Sequence, residues 1–262
     1  MDSRTMDLND LIAVVKAQLS SAADPKIKEW WDRYLRQTIE FRGTKMADTR
    51  RGVRAVLEAE GLDGAAPMTK ELGFALLGET MAEDKLAGIL ILAEWVLPAG
   101  DLNCSSDLDR LGDQFDAGHI GDWNTCDWLC VKVLGPMVAA RGAPCARAIA
   151  GWATDPGLWR SRAGVVSFVN LLTDASEPIP GLHEIVLDAC AVNVRRTERF
   201  AQTGVGWTIR ELSRAAPDLA AAFVAGNLGF MSREAIRAAT AKLPPGVRTD
   251  LLARHAGRVN RR

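Results

Sequence analysis

The 262-residue chain has no apolar run approaching the roughly 20 residues that a membrane-spanning helix requires. Its first residues, Met1 to Asp10, are polar and acidic and lack the charged-then-apolar order of a secretory leader. These absences imply a soluble, cytoplasmic protein that contacts no membrane. Runs of alternating β-branched residues bounded by hairpin turns are also missing, so there is no material for a sheet. Cysteine is scarce and unpatterned. Cys104, Cys126, Cys130, Cys145 and Cys190 are odd in number and share no regular spacing, which argues against a disulfide framework and for reduced thiols. Cys126 and Cys130 stand one helical turn apart with His119 upstream, but no second Cys/His pair completes a tetrahedral metal site. Neither a metal nor any other cofactor is expected.

What is present is apolar content and helical periodicity. Hydrophobic residues make up 48% of the chain, enough for one large domain or a repeat array. The net charge of −1 hides an asymmetry. Met1–Arg110 carries 14 Lys and Arg against 19 Asp and Glu, and the remainder carries 18 against 14. From Ser232 onward the basic residues Arg233, Arg237, Lys242, Arg248, Arg254, Arg258, Arg261 and Arg262 face only Glu234 and Asp250. This distribution permits an anionic partner without requiring one.

Apolar residues recur at helical spacing from end to end, beginning with Leu8, Leu11, Ile12, Val15 and Leu19. Asp24-Pro25 then supplies an N-cap and a first-turn proline. Helices are predicted over 27–39, 47–60, 68–77, 83–96, 107–115, 122–138, 144–154, 158–172, 179–192, 195–215, 217–225, 232–243 and 247–255. The least regular stretch, 98–106, reads as a loop. The expectation is an all-α protein, a single domain over 1–262 with an N-terminal helix in 1–25 and a basic tail at 256–262. Short helices joined by Gly, Pro and Asp connections suit an α-solenoid of stacked helix pairs. No strict period exists, so the repeats would be degenerate and HEAT-like, with a concave cleft; a compact helical bundle is the competing architecture.

Three segments place a tryptophan and a charged residue on one helix face: Trp123 with Asp127, Trp159 with Arg162, and Trp207 with Arg210. An indole offers a flat apolar platform, and a guanidinium offers donors matched to phosphate. The other tryptophans, Trp30, Trp31, Trp95, Trp128 and Trp152, read as core, and Trp159 as packing between helices. Arg50, Arg51 and Arg54 form a basic cluster on a solvated face.

The order of these segments resembles the AlkD-type DNA alkylation repair glycosylases, a family built of HEAT-like repeats. Ile39-Glu40-Phe41-Arg42-Gly43 followed by Arg50-Arg51 is similar to the family's F-x-G…R-R region. Asp122-Trp123-Asn124-Thr125-Cys126-Asp127 stands at its W-W-D-x-x-D segment, Trp159-Arg160-Ser161-Arg162 at its W-x-x-R, and Gly206-Trp207-Thr208-Ile209-Arg210-Glu211 at its G-W-x-x-R-E. Ser232-Arg233-Glu234-Ala235-Ile236 resembles its R-E-A element. The resemblance spans about 39–243. It implies that Asp127 is the catalytic carboxylate and that Trp123 and Trp207 pack around the nucleotide sugar and backbone. It further implies that Arg162 and Arg210 contact DNA, with Arg50, Arg51 and Arg233 as further phosphate contacts. Three positions depart from the pattern: Asp122 replaces a Trp, Asn124 an Asp, and Asn170 a Lys carried by some members.

Hydrolysis of an N-glycosidic bond develops positive charge on the sugar, which a carboxylate stabilises while orienting water. A purine alkylated at N3 or N7 is already cationic and departs without protonation, so one carboxylate suffices where glycosidases use two. The resemblance thus implies a monofunctional glycosylase acting, as a monomer, on alkylated purines in double-stranded DNA. It also implies action without flipping the base, extending to bulky minor-groove adducts in self-resistance. The alternative is a non-catalytic HEAT-like module that binds DNA or protein.

Overall fold

The computed structural model describes residues 6–62 and 64–259. Among these the protein is all-α, with one isolated parallel bridge between Glu40 and Met81. No helix among them is long and apolar enough to cross a membrane. The chain divides into two compact units, Met1–Val133 and Leu134–Arg262.

The first unit holds α1 (Leu8–Ser21), α2 (Pro25–Tyr34), α3 (Met46–Ala59), α4 (Pro67–Leu77), α5 (Ala82–Ile91), α6 (Asp107–Asp116) and α7 (Trp123–Leu129). Their starts follow local chemistry. Asp7 accepts a hydrogen bond from the Asp10 N–H at 2.9 Å, and Asp24 accepts one from Lys26 N–H at 2.8 Å with Pro25 in the first turn. Helix α5 runs on as a π-turn, Leu92–Val96, and α7 as another, Cys130–Leu134. In each case a proline follows two residues later, Pro98 and Pro136, and cannot donate to the carbonyl four residues back.

Packing in this unit skips alternate helices. α1 lies on α3, α3 on α5 and α5 on α7, forming one layer of side-by-side helices, while α4 packs across α5 and α1. α5 is buried along its whole length, including Glu83, Asp84 and Lys85. The Glu83 carboxylate organises the strap after α2. Its oxygens accept from the backbone N–H groups of Arg42 (2.9 Å), Gly43 (2.8 Å) and Thr44 (3.0 Å). The Ala82 N–H donates to the Glu40 carbonyl at 2.8 Å beside it.

The second unit holds α8 (Gly135–Arg141), α9 (Ala143–Gly151, continued by the 3-10 turn Trp152–Thr154), α10 (Leu158–Val166), α11 (Leu182–Asn193), α12 (Arg199–Leu212), α13 (Pro217–Asn227), α14 (Arg233–Ala239) and α15 (Pro245–Val259). Here α10 packs on α12 and α12 on α14, again a layer of alternate helices, with α9 on α11 and α13 on α15 behind. Glycines set the spacing. A Cβ at Gly164 would stand 2.5 Å from the Ala153 nitrogen, and one at Gly206 would stand 2.8 Å from the Ala235 carbonyl oxygen.

Several expectations are corrected. α2 ends at Tyr34 rather than 39, because Arg36 and Gln37 adopt positive φ of 51° and 58°. α10 ends at Val166, α11 begins at Leu182 and α12 spans only Arg199–Leu212. α15 extends through Val259, so the start of the basic tail is helical, whereas Arg261 and Arg262 lie outside the described residues. Trp30 is not core but 51% exposed. Cys126, Cys130 and Cys190 are buried and stand outside any disulfide, but Cys104 and Cys145 are each in a disulfide, against the expectation of reduced thiols. Pairing depends on separation in the fold, which irregular sequence spacing does not reveal.

Gly43 tests the strap. Its φ is +97°, and a Cβ would lie 2.3 Å from the Asp24 carbonyl oxygen. Gly43→Ala should lower stability by about 2–3 kcal/mol, read as a shift in the urea unfolding midpoint with an unchanged slope.

Candidate functional site

Helix α7 carries the acidic candidate. Asp122 caps it, with Oδ1 accepting from the N–H groups of Asn124 (2.8 Å) and Thr125 (3.1 Å) and Oδ2 from the Thr125 hydroxyl (2.5 Å). Trp123 follows, half-buried, against a cluster of Leu35, Phe41 and Ala82 flanked by Trp31 and Ile39. Asp127 lies one turn further on the same face, also half-buried, three residues before the π-turn begins at Cys130. A π-turn widens the backbone locally and is frequent at functional sites.

The cluster behind Trp123 explains the Phe41-Arg42-Gly43 motif. Phe41 stacks on Trp31 at 5.0 Å and an interplanar angle of 4°. Gly43 takes the positive φ that turns the strap, and Arg42 pairs with Asp84 at 2.5 Å. Burial pushes the Asp84 carboxyl up, and Arg42 pulls it back. The motif is thus a seat for Trp123.

An aromatic band continues from this seat. Trp30 and Tyr34 stack at 4.9 Å, and Tyr34 meets Trp123 edge-on at 5.8 Å. Trp30 is 51% and Tyr34 55% exposed, so two stacked rings stand in solvent beside Trp123. The spacing of Trp30 and Tyr34 by four residues on one helix was the available signal. α2 buries no residue, so periodicity alone could not assign its faces.

In the same unit, Arg50 and Arg51 lie on α3. Arg50 Nε donates to both carboxylate oxygens of Glu94, at 2.8 and 3.1 Å. Arg51 is exposed and pairs with Asp48. Arg54 is exposed on the same helix.

In the second unit, Arg162 on α10 is only 5% exposed. Its Nη1 donates to the Phe200 carbonyl at 2.6 Å and to the Thr203 hydroxyl at 3.3 Å, both on α12. Gly204 makes room: a Cβ there would stand 3.1 Å from that same nitrogen. Trp159 packs on Phe200 at 5.2 Å, in line with its expected packing role. Trp207 is half-buried on α12, and Arg210 pairs with Glu211 through Nη2 at 2.7 Å. Arg233 is exposed at the start of α14, behind the Ser232 cap. Asn170 is exposed just after α10.

Each unit therefore gathers its candidate residues on one layer. Arg50, Arg51, Trp123 and Asp127 lie on α3 and α7 of the α1–α3–α5–α7 layer. Arg162, Trp207, Arg210 and Arg233 lie on α10–α12–α14. Among the described residues no three His, Cys, Asp or Glu side chains group as metal ligands. Arg162→Ala would strip the Phe200 carbonyl of a charged donor. It should destabilise the protein by about 1–3 kcal/mol, measured by chemical denaturation.

Comparison with known proteins follows the same lines. No curated protein sequence matches the chain. A solved structure described as a predicted DNA alkylation repair enzyme from Enterococcus faecalis shares the fold, with a TM-score of 0.68 and 14% identity over 85% of this chain and 97% of that one. The family model for DNA alkylation repair enzymes matches residues 15–243, and the chain accordingly belongs to the DNA alkylation repair enzyme family.

Proposed function

We propose that this repair enzyme is a monofunctional DNA glycosylase that hydrolyses the N-glycosidic bond of N3- or N7-alkylated purines in duplex DNA. The observation that carries the proposal is Asp127 placed one turn from the seated, half-exposed Trp123, on the helix layer that also bears Arg50 and Arg51. In this reading the Asp127 carboxylate stabilises the oxocarbenium-like sugar and orients the attacking water. The cationic base leaves with the bond electrons and becomes neutral, so no general acid is required.

Trp123 and Trp207 offer indole faces, each able to attract a cation by about 0.5–2 kcal/mol, which favours the charged transition state over the neutral sugar. Arg50, Arg51, Arg210 and Arg233 hold phosphates, and Arg162, 5% exposed, joins them only by exchanging its bonds to Phe200 and Thr203; none carries sequence information, so selectivity comes from the lesion's charge. The enzyme works as a monomer and leaves the base stacked. The exposed Trp30–Tyr34 pair beside Trp123 supports extension of the substrate range to bulky planar adducts, as in self-resistance to DNA-alkylating compounds.

Release of 7-methylguanine or 3-methyladenine from alkylated duplex DNA is the direct test. Wild type should exceed the spontaneous rate, and Asp127→Asn should lose about 10²–10³-fold. No release above background, from small or bulky lesions, would leave a non-catalytic DNA-binding module. Phosphate contacts are tested by salt dependence. Arg233→Ala and Arg162→Ala should each flatten the slope of log affinity against log salt by about one. An unchanged slope for Arg162→Ala would restrict that residue to anchoring α12.

A further inference from the structure

Beside the seat of Trp123 the first unit holds a cavity of about 510 Å³, within the span of small-molecule sites, roughly 300–1,000 Å³. Ile39, which flanks that seat, lines the cavity too. Its polar lining comes from Lys85 on α5, Glu40 at the start of the strap, Glu79 between α4 and α5, His119 before α7 and the Asp122 cap. Two of these acids are already engaged. Glu79 pairs with Lys16 at 2.5 Å, and Asp122 accepts at both oxygens from Asn124 and Thr125. The other groups have capacity to spare. Lys85 is only 5% exposed, yet its Nζ donates to the Leu77 carbonyl at 3.0 Å and meets no other partner among the described residues. An ammonium carries three donors, so a buried one with a single bond leaves the rest for whatever occupies the adjoining space. The Glu40 carboxylate and the His119 ring also have no partner among the described residues. His119 stands over Gly78, the residue after Leu77: a Cβ there would lie 3.7 Å from its Nε2. Lys85 and His119 thus converge on adjacent residues of one wall.

We propose that this cavity is a binding site for a free guanine-type purine, with Lys85 and Glu40 as its recognition pair. A guanine ring carries an acceptor, O6, beside two donors, N1–H and N2–H, along one edge. Lys85 supplies a charged donor for the acceptor. Glu40 supplies a charged acceptor for both donors, the two-point arrangement in which a carboxylate bonds most strongly. Alkylation at N7 leaves this edge unchanged. Adenine presents its N6 amino group where guanine has O6, which sets donor against donor and leaves the ammonium unsatisfied. The place of the cavity gives the ligand a source. A purine cleaved beside Asp127 becomes neutral and loses its attraction to the carboxylate and the indole faces, and the cavity adjoins the seat of Trp123 through Ile39. Its use as a product site rests on the proposed glycosylase reading; the ligand class rests on the lining alone.

Calorimetric titration of the full chain with 7-methylguanine, in the absence of DNA, tests the site. Wild type should bind it saturably, and 3-methyladenine about tenfold or more weakly. Glu40→Ala and Lys85→Met should each weaken 7-methylguanine binding by about tenfold or more, through loss of a charged hydrogen bond. Glu40 is exposed, so its variant decides the matter if Lys85→Met fails to fold. No saturable binding up to the solubility limit, equal affinity for 3-methyladenine, or wild-type affinity in either folded variant would overturn the proposal. If wild type binds 7-methylguanine but releases no base from alkylated duplex, the ligand site stands and the glycosylase reading falls.

Discussion

The first unit turns on one buried carboxylate accepting three successive backbone N–H groups. Glu83 sits at the start of α5, where the helix dipole favours negative charge, and its oxygens hold the strap through Arg42, Gly43 and Thr44. Charge-assisted hydrogen bonds of this kind are roughly twice as strong as neutral ones. With the strap held, Phe41 stacks on Trp31, and that pair becomes the wall against which Trp123 packs. Asp127 rides on the same helix as Trp123. The placement of the proposed catalytic face therefore descends, contact by contact, from a residue that touches no substrate.

The second unit reaches the same end through close approach. Gly164 admits the backbone of Ala153, Gly206 that of Ala235, and Gly204 the guanidinium of Arg162. Where helices come this near, side-chain positions are set by backbone packing, which is stiff. Arg162 acts here as a bolt, bonding the Phe200 carbonyl and the Thr203 hydroxyl, respectively two turns and one turn before Trp207. Gln202 adds a second bolt: its amide donates to the carbonyls of Val194, Arg196 and Phe230 and accepts from the Ser232 N–H. Trp207 and Arg210 are thus presented on a helix fixed along its length.

Much of this was legible in the sequence. Apolar periodicity located nearly every helix, because a helix that buries one face must repeat its apolar residues every three to four positions. Boundaries failed where the backbone leaves the helix for reasons other than composition, as at Arg36 and Gln37, whose positive φ no residue preference announces. Trp30 was misread because a tryptophan is buried more often than not, and only the position of Tyr34 and Trp123 shows which side of α2 faces outward. Glu83 was invisible. Its importance lies in what it meets across the fold, the strap some 40 residues away, and a charged residue carries no signal of its partner. The aligned motifs pointed to Asp127, Trp123 and Trp207 without revealing that Phe41 and Gly43 build the seat of Trp123.

A net charge of −1 is compatible with the proposed DNA contacts, given how the arginines are kept. Arg50 rests on Glu94, Arg51 on Asp48 and Arg210 on Glu211, all at half-buried or exposed positions. Such surface pairs contribute only about 0–1 kcal/mol each, so exchanging a carboxylate for a phosphate costs little. Under the proposed phosphate role, the resting carboxylates would lower the long-range attraction for undamaged duplex and hold each guanidinium ordered until a phosphate arrives. Part of the entropy of fixing the side chain is then already spent before binding. Counterion release from the DNA still drives association, so salt sensitivity should follow the number of pairs exchanged and not the net charge. For an enzyme whose proposed target is a rare cationic purine among many intact ones, weak general attraction combined with ordered donors favours search over capture.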